Sequence, residues 1–213
     1  MGVSPSDILR IPWVQALRPR GEPYCAGLSR YSEFLAWHVD IGFTLWPITP
    51  EQQLKWKVDK ANNDETWRKR PLVVGEDSGC GPFSCGEVEV AARLKKAGFN
   101  AKWVSEWSGY QHVECWRRYC VKRSDLEDEE PELWAADYNL RMKAGVIGDQ
   151  LGKRGGHPDV AAWRSQDDIV YVEYKGPTDS INEKQDIWAR ELIRQNPKRF
   201  CYLAAHGVIN PAG

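Results

Sequence analysis

The sequence predicts an α/β protein in which helices flank a mixed sheet, and three stretches carry that prediction. Residues 87–99, EVEVAARLKKAGF, repeat apolar side chains at helical spacing. Residues 169–176, IVYVEYKG, are rich in the β-branched and aromatic side chains that favour strands. A further helical pattern after residue 182 leads into RFCYLAAHGV, which again predicts a strand. Helices and strands that alternate along a chain in this way pack as a sheet covered by helices.

The segment 1–71 is predicted to form a helical N-terminal extension. Within it, SRYSEFLAWHVDIG places four apolar residues near helical spacing: Tyr31, Phe34, Leu35 and Val39. A second helix begins with Thr49 as N-cap and Pro50 at the first helical position, and Gln52 completes a near capping box. No chemistry can be assigned to this extension from its sequence.

Residues 72–213 are predicted to form the main domain. Its first helix ends at Gly98, a natural C-cap, and turns one apolar face to the core: Val90, Ala91, Leu94 and Ala97. The stretch NAKWVSEW then alternates as a strand. For an insert at about residues 109–150 we predict a helix over 112–122, a solvated acidic loop and a helix over 132–143.

The C-terminal elements have clearer signals. HPDVAAWRS predicts a strand, the polar SQDD a turn, and IVYVEYKG a buried strand that ends at Gly176 and Pro177. Asn182 can cap a helix that runs to about Gln195, and a last strand follows. From residue 87 onwards the predicted order is therefore helix, strand, insert, strand, strand, helix, strand.

Two acids and a lysine lie in the strands of this C-terminal region. Successive strand residues point to opposite faces, so Glu173 and Lys175 share one side while Tyr174 faces the core on the other. Asp159 lies beside Glu173 if the two strands pair through the short turn between them. Carboxylates suit a hard cation such as Mg²⁺, and a nearby lysine can offset developing negative charge. Spacing alone favours a plainer alternative, a cross-strand salt bridge.

The residues around these three favour a metal site over a salt bridge. The sequence GGHPDVAAW, followed by IVYVEYKGPTDSINEKQDIW, resembles the VRR-NUC branch of the PD-(D/E)XK nuclease superfamily. The matching features are Gly-Gly-x-Pro-Asp, the apolar strand into Glu-x-Lys-Gly-Pro, an Asp shortly after, and Gln185 followed by Trp188. The resemblance covers about forty residues, from 155 to about 194. The family usually has Val where this chain has Tyr174.

The resemblance implies a restriction-endonuclease-like core and a set of roles for individual residues. Asp159 and Glu173 would bind Mg²⁺, or Mn²⁺ in its place, with the carbonyl of Tyr174 as a third ligand. Lys175 would be the catalytic lysine, and Gln185 would lie near the site on the adjacent helix. The superfamily also draws a Glu from the first core helix. We favour Glu87 over Glu89 because Glu87 continues the buried stripe, although either could simply stabilise the helix N-terminus.

The activity implied is that of a metal-dependent endonuclease that hydrolyses phosphodiester bonds, in DNA rather than RNA, including branched or structured DNA. The setting implied is DNA repair or the DNA processing of phages and mobile elements, and a homodimer is expected. Two alternatives remain open. One is an inactive nucleic-acid-binding module on a nuclease fold, and the other is a zinc-stabilised interaction module.

Basic residues precede the first acid. Lys153 and Arg154 lie just before Gly155 and Gly156, and a flexible basic loop beside a metal site suits contact with a phosphate backbone. An ordinary solvated loop is the alternative.

The cysteines form two similarly spaced pairs, which raises the possibility of structural Zn²⁺: Cys80 with Cys85, and Cys115 with Cys120. CWRRYC looks helical, and positions five apart on a helix diverge, so buried free thiols are favoured over zinc. His157 could touch substrate or metal, but a structural role is favoured. Asp179 is expected in a turn or cap at least as much as in catalysis.

Composition limits the remaining possibilities. The net charge of −1 shows no basic excess of the kind that strong nonspecific nucleic-acid binders carry. No apolar stretch approaches the ~20 residues of a membrane helix, and no signal-peptide pattern begins the chain. We therefore expect an intracellular protein, cytoplasmic or, in a eukaryote, nuclear, with its six cysteines reduced.

Overall fold

The structure is a computed structural model. It describes the following parts of the chain: residues 14–18, 37–43, 50–62, 73, 75–80, 84–106, 114–135, 138, 155–165, 168–176, 179, 181–195 and 200–209.

The centre of the fold is a seven-stranded mixed sheet with the strand order β1-β2-β7-β6-β5-β3-β4. The strands are β1 (Val14–Arg18), β2 (Trp37–Phe43), β3 (Asn100–Ser105), β4 (Cys120–Lys122), β5 (Val160–Ser165), β6 (Asp168–Lys175) and β7 (Phe200–Ile209). Three pairs are antiparallel (β1 with β2, β3 with β5, β5 with β6), and three are parallel (β2 with β7, β6 with β7, β3 with β4).

The helices are α1 (Pro50–Ala61), α2 (Gly86–Lys96), α3 (Glu114–Arg117), α4 (Leu126–Glu129) and α5 (Glu183–Gln195), and a 3-10 turn, Arg123–Asp125, precedes α4. Residues 131–135 are also helical. Among the described stretches, no helix combines the length and the apolar character needed to cross a membrane.

The predicted order from residue 87 is confirmed: α2, β3, an insert, β5, β6, α5 and β7. Helix α2 lies on one face of the sheet and buries the predicted stripe there, with Val90, Ala91 and Leu94 in the core and Ala97 partly buried against it. On β6 the residues that face this core alternate as predicted: Val170, Val172 and Tyr174. The chain therefore has a mixed α/β fold of the kind expected for a nuclease-like core.

The N-terminal segment needs a correction, because its described part is not wholly helical. The helix beginning at Pro50 is confirmed as α1. The stretch SRYSEFLAWHVDIG was expected to be helical, but residues 37–43 form β2, which pairs with β7 in parallel register, and β1 pairs with β2. WHVDIGF alternates apolar and polar or glycine residues with the period of a strand, and an open edge of β7 is available to it. The division of the chain at residue 71 stays a prediction.

The insert also differs from its prediction. A helix over 112–122 was expected, but α3 is short, and β4 follows it and extends the sheet beside β3. Trp116 and Val121 are both fully buried, and Trp116 meets Trp103 edge to face with ring centroids 6.0 Å apart. Helix α3 therefore ends at Arg117, because the strand that follows it is buried at the edge of the sheet. Of the predicted helix over 132–143, the described residues 132–135 are helical.

The acidic block DLEDEEPELW, residues 125–134, was expected to be a solvated loop. Residues 127–129 are exposed as expected, but they belong to helix α4 rather than to a loop, and Asp125 and Glu130 are partly buried. Leu126 is completely buried and fastens this turn to the fold. Glu130 forms an ion pair with Lys102 of β3 at 3.0 Å. The composition of the block indicated neither this ion pair nor the burial of Leu126.

Candidate functional site

Asp159, directly before β5, lies opposite Glu173 on the neighbouring strand β6. The antiparallel register pairs Val160 with Val172, which makes Asp159 and Glu173 the next residues facing each other. The Tyr174 amide donates a hydrogen bond to Asp159 Oδ2 at 2.9 Å. The predicted adjacency of the two acids is thus present, and it follows from the short connection between β5 and β6 that fixes their register.

The Glu173 carboxylate is held by two donors in a buried setting. Glu173 is 3% exposed and Lys175 is 6% exposed. The Lys175 ammonium donates to Glu173 Oε1 at 2.8 Å, and Gln185 Nε2 donates to the same oxygen at 2.5 Å. Lys175 lies two positions along the strand and so shares the face of Glu173, as alternation predicts. This contact between Lys175 and Glu173 is expected both for a plain salt bridge and for the nuclease constellation, so it does not distinguish them.

The second oxygen of Glu173 is different. Oε2 is buried, and no donor in the described part of the chain forms a hydrogen bond to it. Buried carboxylate oxygens are almost always satisfied, so an orphaned oxygen calls for a ligand or another explanation. Burial raises the pKa of Glu173 well above its ordinary value, and the Asp159 charge raises it further, while Lys175 lowers it. Burial and the Asp159 charge therefore disfavour the ionised form of Glu173 more than Lys175 favours it.

A divalent cation fits this donor set. Carboxylate oxygens are the ligands that Mg²⁺ prefers, and Mg²⁺ commonly uses one or two carboxylates while keeping several waters. A cation between the two acids would satisfy Glu173 Oε2 and oppose the repulsion from Asp159. No group of three or more His, Cys, Asp or Glu residues that could hold a metal occurs in the described part of the chain. The donors brought together here are two acids, and the Tyr174 carbonyl as a ligand stays a prediction.

Gln185 connects the site to the start of helix α5. Asn182 accepts hydrogen bonds from the amides of Lys184 at 3.0 Å and Gln185 at 3.2 Å, which confirms its predicted role as the N-cap. Gln185 Oε1 accepts a hydrogen bond from the Asn182 amide at 2.9 Å and completes a capping box. One side chain thus caps the helix through its oxygen and holds Glu173 through its nitrogen.

The two candidate acids of helix α2 have separate environments. Glu89 is completely buried and accepts hydrogen bonds from the Ser78 hydroxyl and from the amides of Asp77 and Ser78. It fastens the loop before the helix, a role that the sequence did not reveal. Glu87 is partly buried and is the charged side chain that most affects the Tyr174 hydroxyl. The structure does not gather Glu87 into a three-acid cluster, and its role as a metal ligand stays a prediction.

Tyr174 replaces the usual valine of the resembled motif, and a glycine makes room for it. A Cβ on Gly86, at the start of α2, would overlap the Tyr174 ring. The ring is partly buried against the core, as predicted. Burial raises the pKa of the Tyr174 hydroxyl above its ordinary value, and the charge of Glu87 raises it further. The hydroxyl therefore stays protonated at neutral pH.

The loop before β5 packs against helix α5. The His157 ring contacts the Trp188 ring edge to face at 4.7 Å and the Tyr171 ring at 6.1 Å, and its Nδ1 donates to the Pro158 carbonyl at 2.7 Å. This confirms a structural role for His157. Gly156 has a φ of +92°, and a Cβ there would overlap the backbone of Lys184.

Two other predictions of this region can be placed. Asp179 closes the turn after β6, because its carboxylate accepts from the Gly176 amide at 3.1 Å and its own amide donates to the Gly176 carbonyl at 3.1 Å. Asp179 is thus a turn residue, one of the roles expected. Lys153 and Arg154, the predicted contacts to nucleic acid, lie outside the described residues.

The four cysteines considered for zinc do not surround one ion. Cys80 and Cys115 form a disulfide with Cα atoms 5.3 Å apart, while Cys85 and Cys120 are buried free thiols. The expectation that the cysteines are reduced is therefore wrong for this pair. The four-cysteine arrangement considered for Zn²⁺ is not formed, because helix α3 turns Cys115 toward the loop that carries Cys80. The expectation of buried free thiols holds for Cys85 and Cys120.

Comparison with known proteins agrees with this part of the chain. The family model described as the VRR-NUC domain matches residues 95–204. The curated protein Fanconi-associated nuclease 1 of Homo sapiens is 40% identical over 57 residues, and that of Danio rerio is 39% identical over 57 residues. Each match covers 26% of this chain but only 6% of the relative. Because the family model spans more than half of the chain and includes both acids and the lysine, the chain belongs to the VRR-NUC domain family.

Proposed function

We propose that the chain is a metal-dependent nuclease that hydrolyses phosphodiester bonds in DNA with a Mg²⁺-activated water. The observation that carries the proposal is the buried Oε2 of Glu173, which receives no hydrogen bond from the described residues and lies beside Asp159, on the strand that also presents Lys175. Family membership and the printed name of the matched relatives support a nuclease.

In this proposal the metal ion and the protein side chains have separate roles. A bound Mg²⁺ would polarise the phosphodiester and lower the pKa of a coordinated water. Asp159 and Glu173 would hold it, with Mn²⁺ as a substitute. The Tyr174 amide keeps Asp159 Oδ2 in place, and the donors from Lys175 and Gln185 orient the carboxylate of Glu173 so that Oε2 is the oxygen left to bind.

Lys175 has a further role in this proposal. Its ammonium is buried and fixed at 2.8 Å from Glu173. A fixed cation in a site of low dielectric can stabilise the charge that develops on the phosphate oxygens without reorganising during the reaction. Gln185 would act as a positioning residue because it reaches the metal only through Glu173.

DNA is proposed over RNA from the family resemblance alone. Branched and flapped forms are included for the same reason, and the homodimer stays a prediction that sedimentation velocity would check. The alternative is an inactive binding module. Such a module would bind nucleic acid but would not cleave it when metal is added.

The test is a cleavage assay on labelled single-stranded, duplex, flapped and four-way DNA, and on RNA, with Mg²⁺, Mn²⁺ or EDTA. A covalently closed circle in the same panel reports endonuclease action. We expect cleavage of DNA that requires the added metal, and we expect Asp159→Ala and Lys175→Ala to abolish it.

Matched controls are available on exposed helices. Asp128→Ala and Lys57→Ala remove the same charges from exposed positions of α4 and α1, and both should cut like the parent. Circular dichroism confirms that each variant is folded. Cleavage by Asp159→Ala and Lys175→Ala at the parental rate would refute the proposed site, and binding without any cleavage would favour the rival.

A further inference from the structure

A pocket of about 210 Å³ opens beside the constellation of acids and lysine and shares Asp159 with it. One wall is the loop that leads into β5, and the other wall is the end of β3. Its lining includes Gly155, His157, Ser105, Glu106 and Arg123 together with Asp159 itself. Arg123 is the cationic side chain of this lining, and neither the family resemblance nor the sequence pattern pointed to it.

The sheet register explains why Arg123 reaches this place. Strands β3 and β4 are parallel, with Ser105 opposite Lys122, so Glu106 and Arg123 follow at the same edge. Strand β3 runs antiparallel to β5, and the Val104 amide donates to the Asp159 carbonyl at 2.8 Å. The ends of β3 and β4 therefore meet the start of β5. Arg123 lies two strands from Asp159, roughly 10 Å at the usual spacing of strands.

The partner of Arg123 in the structure is weakly bound. Its Nη1 lies 3.3 Å from Glu106 Oε1, and the Glu106 side chain is 71% exposed. Exposed ion pairs of this kind contribute little to stability. A guanidinium has five donors in a planar fork that matches a phosphate. A phosphate that enters the pocket can therefore replace Glu106 at little expense and bind the fork through two oxygens.

The size of the pocket also limits its ligand. Sites for complete small molecules usually measure roughly 300 to 1,000 Å³, so this one suits part of a longer chain. It is continuous with Asp159, so a group bound there would be joined to whatever lies at the two acids. A backbone phosphate of a nucleic acid is small enough for the pocket and is covalently joined to its neighbouring phosphate. A free metabolite has no such connection to a group at the two acids.

We propose that Arg123 binds a backbone phosphate adjacent to the scissile one, and that Glu106 holds the guanidinium in place until that phosphate displaces it. The proposal rests on the proposed function, since it assigns a substrate contact to the same site. Lys153 and Arg154 are separate from it. The contact would position the strand and would raise affinity without reading its sequence.

The experiment measures binding rather than cleavage. Fluorescence anisotropy of labelled single-stranded and duplex DNA, in EDTA, is followed between about 50 and 200 mM salt. We expect Arg123→Ala to lose about tenfold in affinity at the low-salt end. The slope of log affinity against log salt should fall by about 1, because one phosphate contact is lost. Arg123→Lys should recover part of the affinity because it keeps the charge but not the fork.

Two further variants make the result specific. Arg164→Ala removes the same charge from an exposed position at the far end of β5 and should change neither affinity nor slope. Glu106→Gln removes the displaced partner and should tighten binding. Equal losses from Arg123→Ala and Arg164→Ala, or weaker binding by Glu106→Gln, would overturn the proposal. Thermal unfolding verifies that the variants are folded.

The outcome is independent of the cleavage assay. If no substrate is cut but binding depends on Arg123 as described, the proposed catalysis fails and the phosphate contact stands. If DNA is cut in a metal-dependent way but Arg123→Ala binds like the parent, the contact fails and the nuclease proposal stands.

Discussion

Gln185 donates a hydrogen bond from Nε2 to Oε1 of Glu173 at 2.5 Å, so a residue in the first turn of helix α5 holds a buried carboxylate of the sheet. The oxygen of the same amide accepts from the Asn182 amide and caps the helix. A substitution that keeps one of these bonds and removes the other can separate catalysis from stability.

Gln185→Glu is the substitution that separates the two functions. Glutamate can complete the capping box as well as glutamine, but it cannot donate to Glu173, and it adds a negative charge beside a buried acid. We expect metal affinity and cleavage to fall by about 10- to 100-fold, as is usual when a partner of a metal ligand is lost.

Gln185→Ala is the comparison for that variant. It removes both bonds and should lower the thermal midpoint through the lost cap as well as lowering activity. Metal titration followed by calorimetry gives the affinity. Equal metal affinity for the parent and Gln185→Glu would show that the bond to Glu173 does not orient the ligand.

Asp159→Asn should stabilise the protein while disabling it. Asparagine can still accept from the Tyr174 amide, but it no longer repels Glu173, whose pKa is raised first by burial and then by the Asp159 charge. We expect the free energy of unfolding without metal to rise by about 1 kcal/mol.

The response to metal should change in the opposite direction. A cation that binds only the folded parent raises its thermal midpoint, and Asp159→Asn should lose this rise together with cleavage. Denaturation in EDTA and in Mg²⁺ measures both effects. A variant that is less stable than the parent in EDTA would contradict the repulsion on which the prediction depends.

Gly86 and Tyr174 should behave as a coupled pair. Gly86→Ala places a Cβ into the Tyr174 ring, and overpacking of this kind costs about 1 to 3 kcal/mol. Tyr174→Val shortens the side chain, so the double variant should recover part of the loss, and urea denaturation of all four proteins measures the coupling.

Gly98→Ala is the control for this pair. Its φ of +89° disfavours any side chain, but among the described residues, its chain neighbours aside, no atom lies within 4 Å of the added Cβ. Tyr174→Val should therefore not rescue it. Purely additive effects of Gly86→Ala and Tyr174→Val would mean that the chain relieves the overlap by moving the helix.

Asp77 should give the stability of the fold a dependence on acid pH. Burial raises its pKa, but hydrogen bonds from Lys96 and Arg93 outweigh burial, so the pKa lies below its ordinary value. A carboxylate with a lowered folded pKa stabilises the protein above its unfolded pKa of about 4, and this contribution is lost as the pH falls through the folded pKa.

Asp77→Asn tests that contribution. The parent should be more stable than the variant at neutral pH, and the difference should shrink as the pH falls below about 4. Urea denaturation at several pH values measures it. A difference that stays constant down to pH values well below the unfolded pKa would show that the charge of Asp77 is not its source.

Local signals in the sequence were sufficient for the core elements. Apolar spacing identified α2, β-branched residues identified β6, and Asn182 marked the start of α5, because each of these signals is contained within a few neighbouring residues. Strand alternation also placed Glu173 and Lys175 on one face. The short turn between β5 and β6 was enough to bring Asp159 beside Glu173.

The outer strands of the sheet were predicted less well than its central strands. Residues 37–43 have strand alternation, but helical spacing in the residues just before them suggested a helix, and β4 is only three residues long. Both strands form because an open edge of the sheet accepts their backbone hydrogen bonds. Such pairing depends on residues far away in the sequence, which local patterns do not contain.

The α/β order of the core, the pairing of Asp159 with Glu173 and the face shared by Lys175 could be inferred from local sequence, because they follow from the period of a strand and one short turn. Three contacts could be seen only in the folded chain: Glu89 binds the loop before its helix, Cys80 bonds to Cys115, and Arg123 lies in a pocket with Asp159. These contacts join residues that are distant along the chain, and their partners are selected by the packing of helices and the register of the whole sheet.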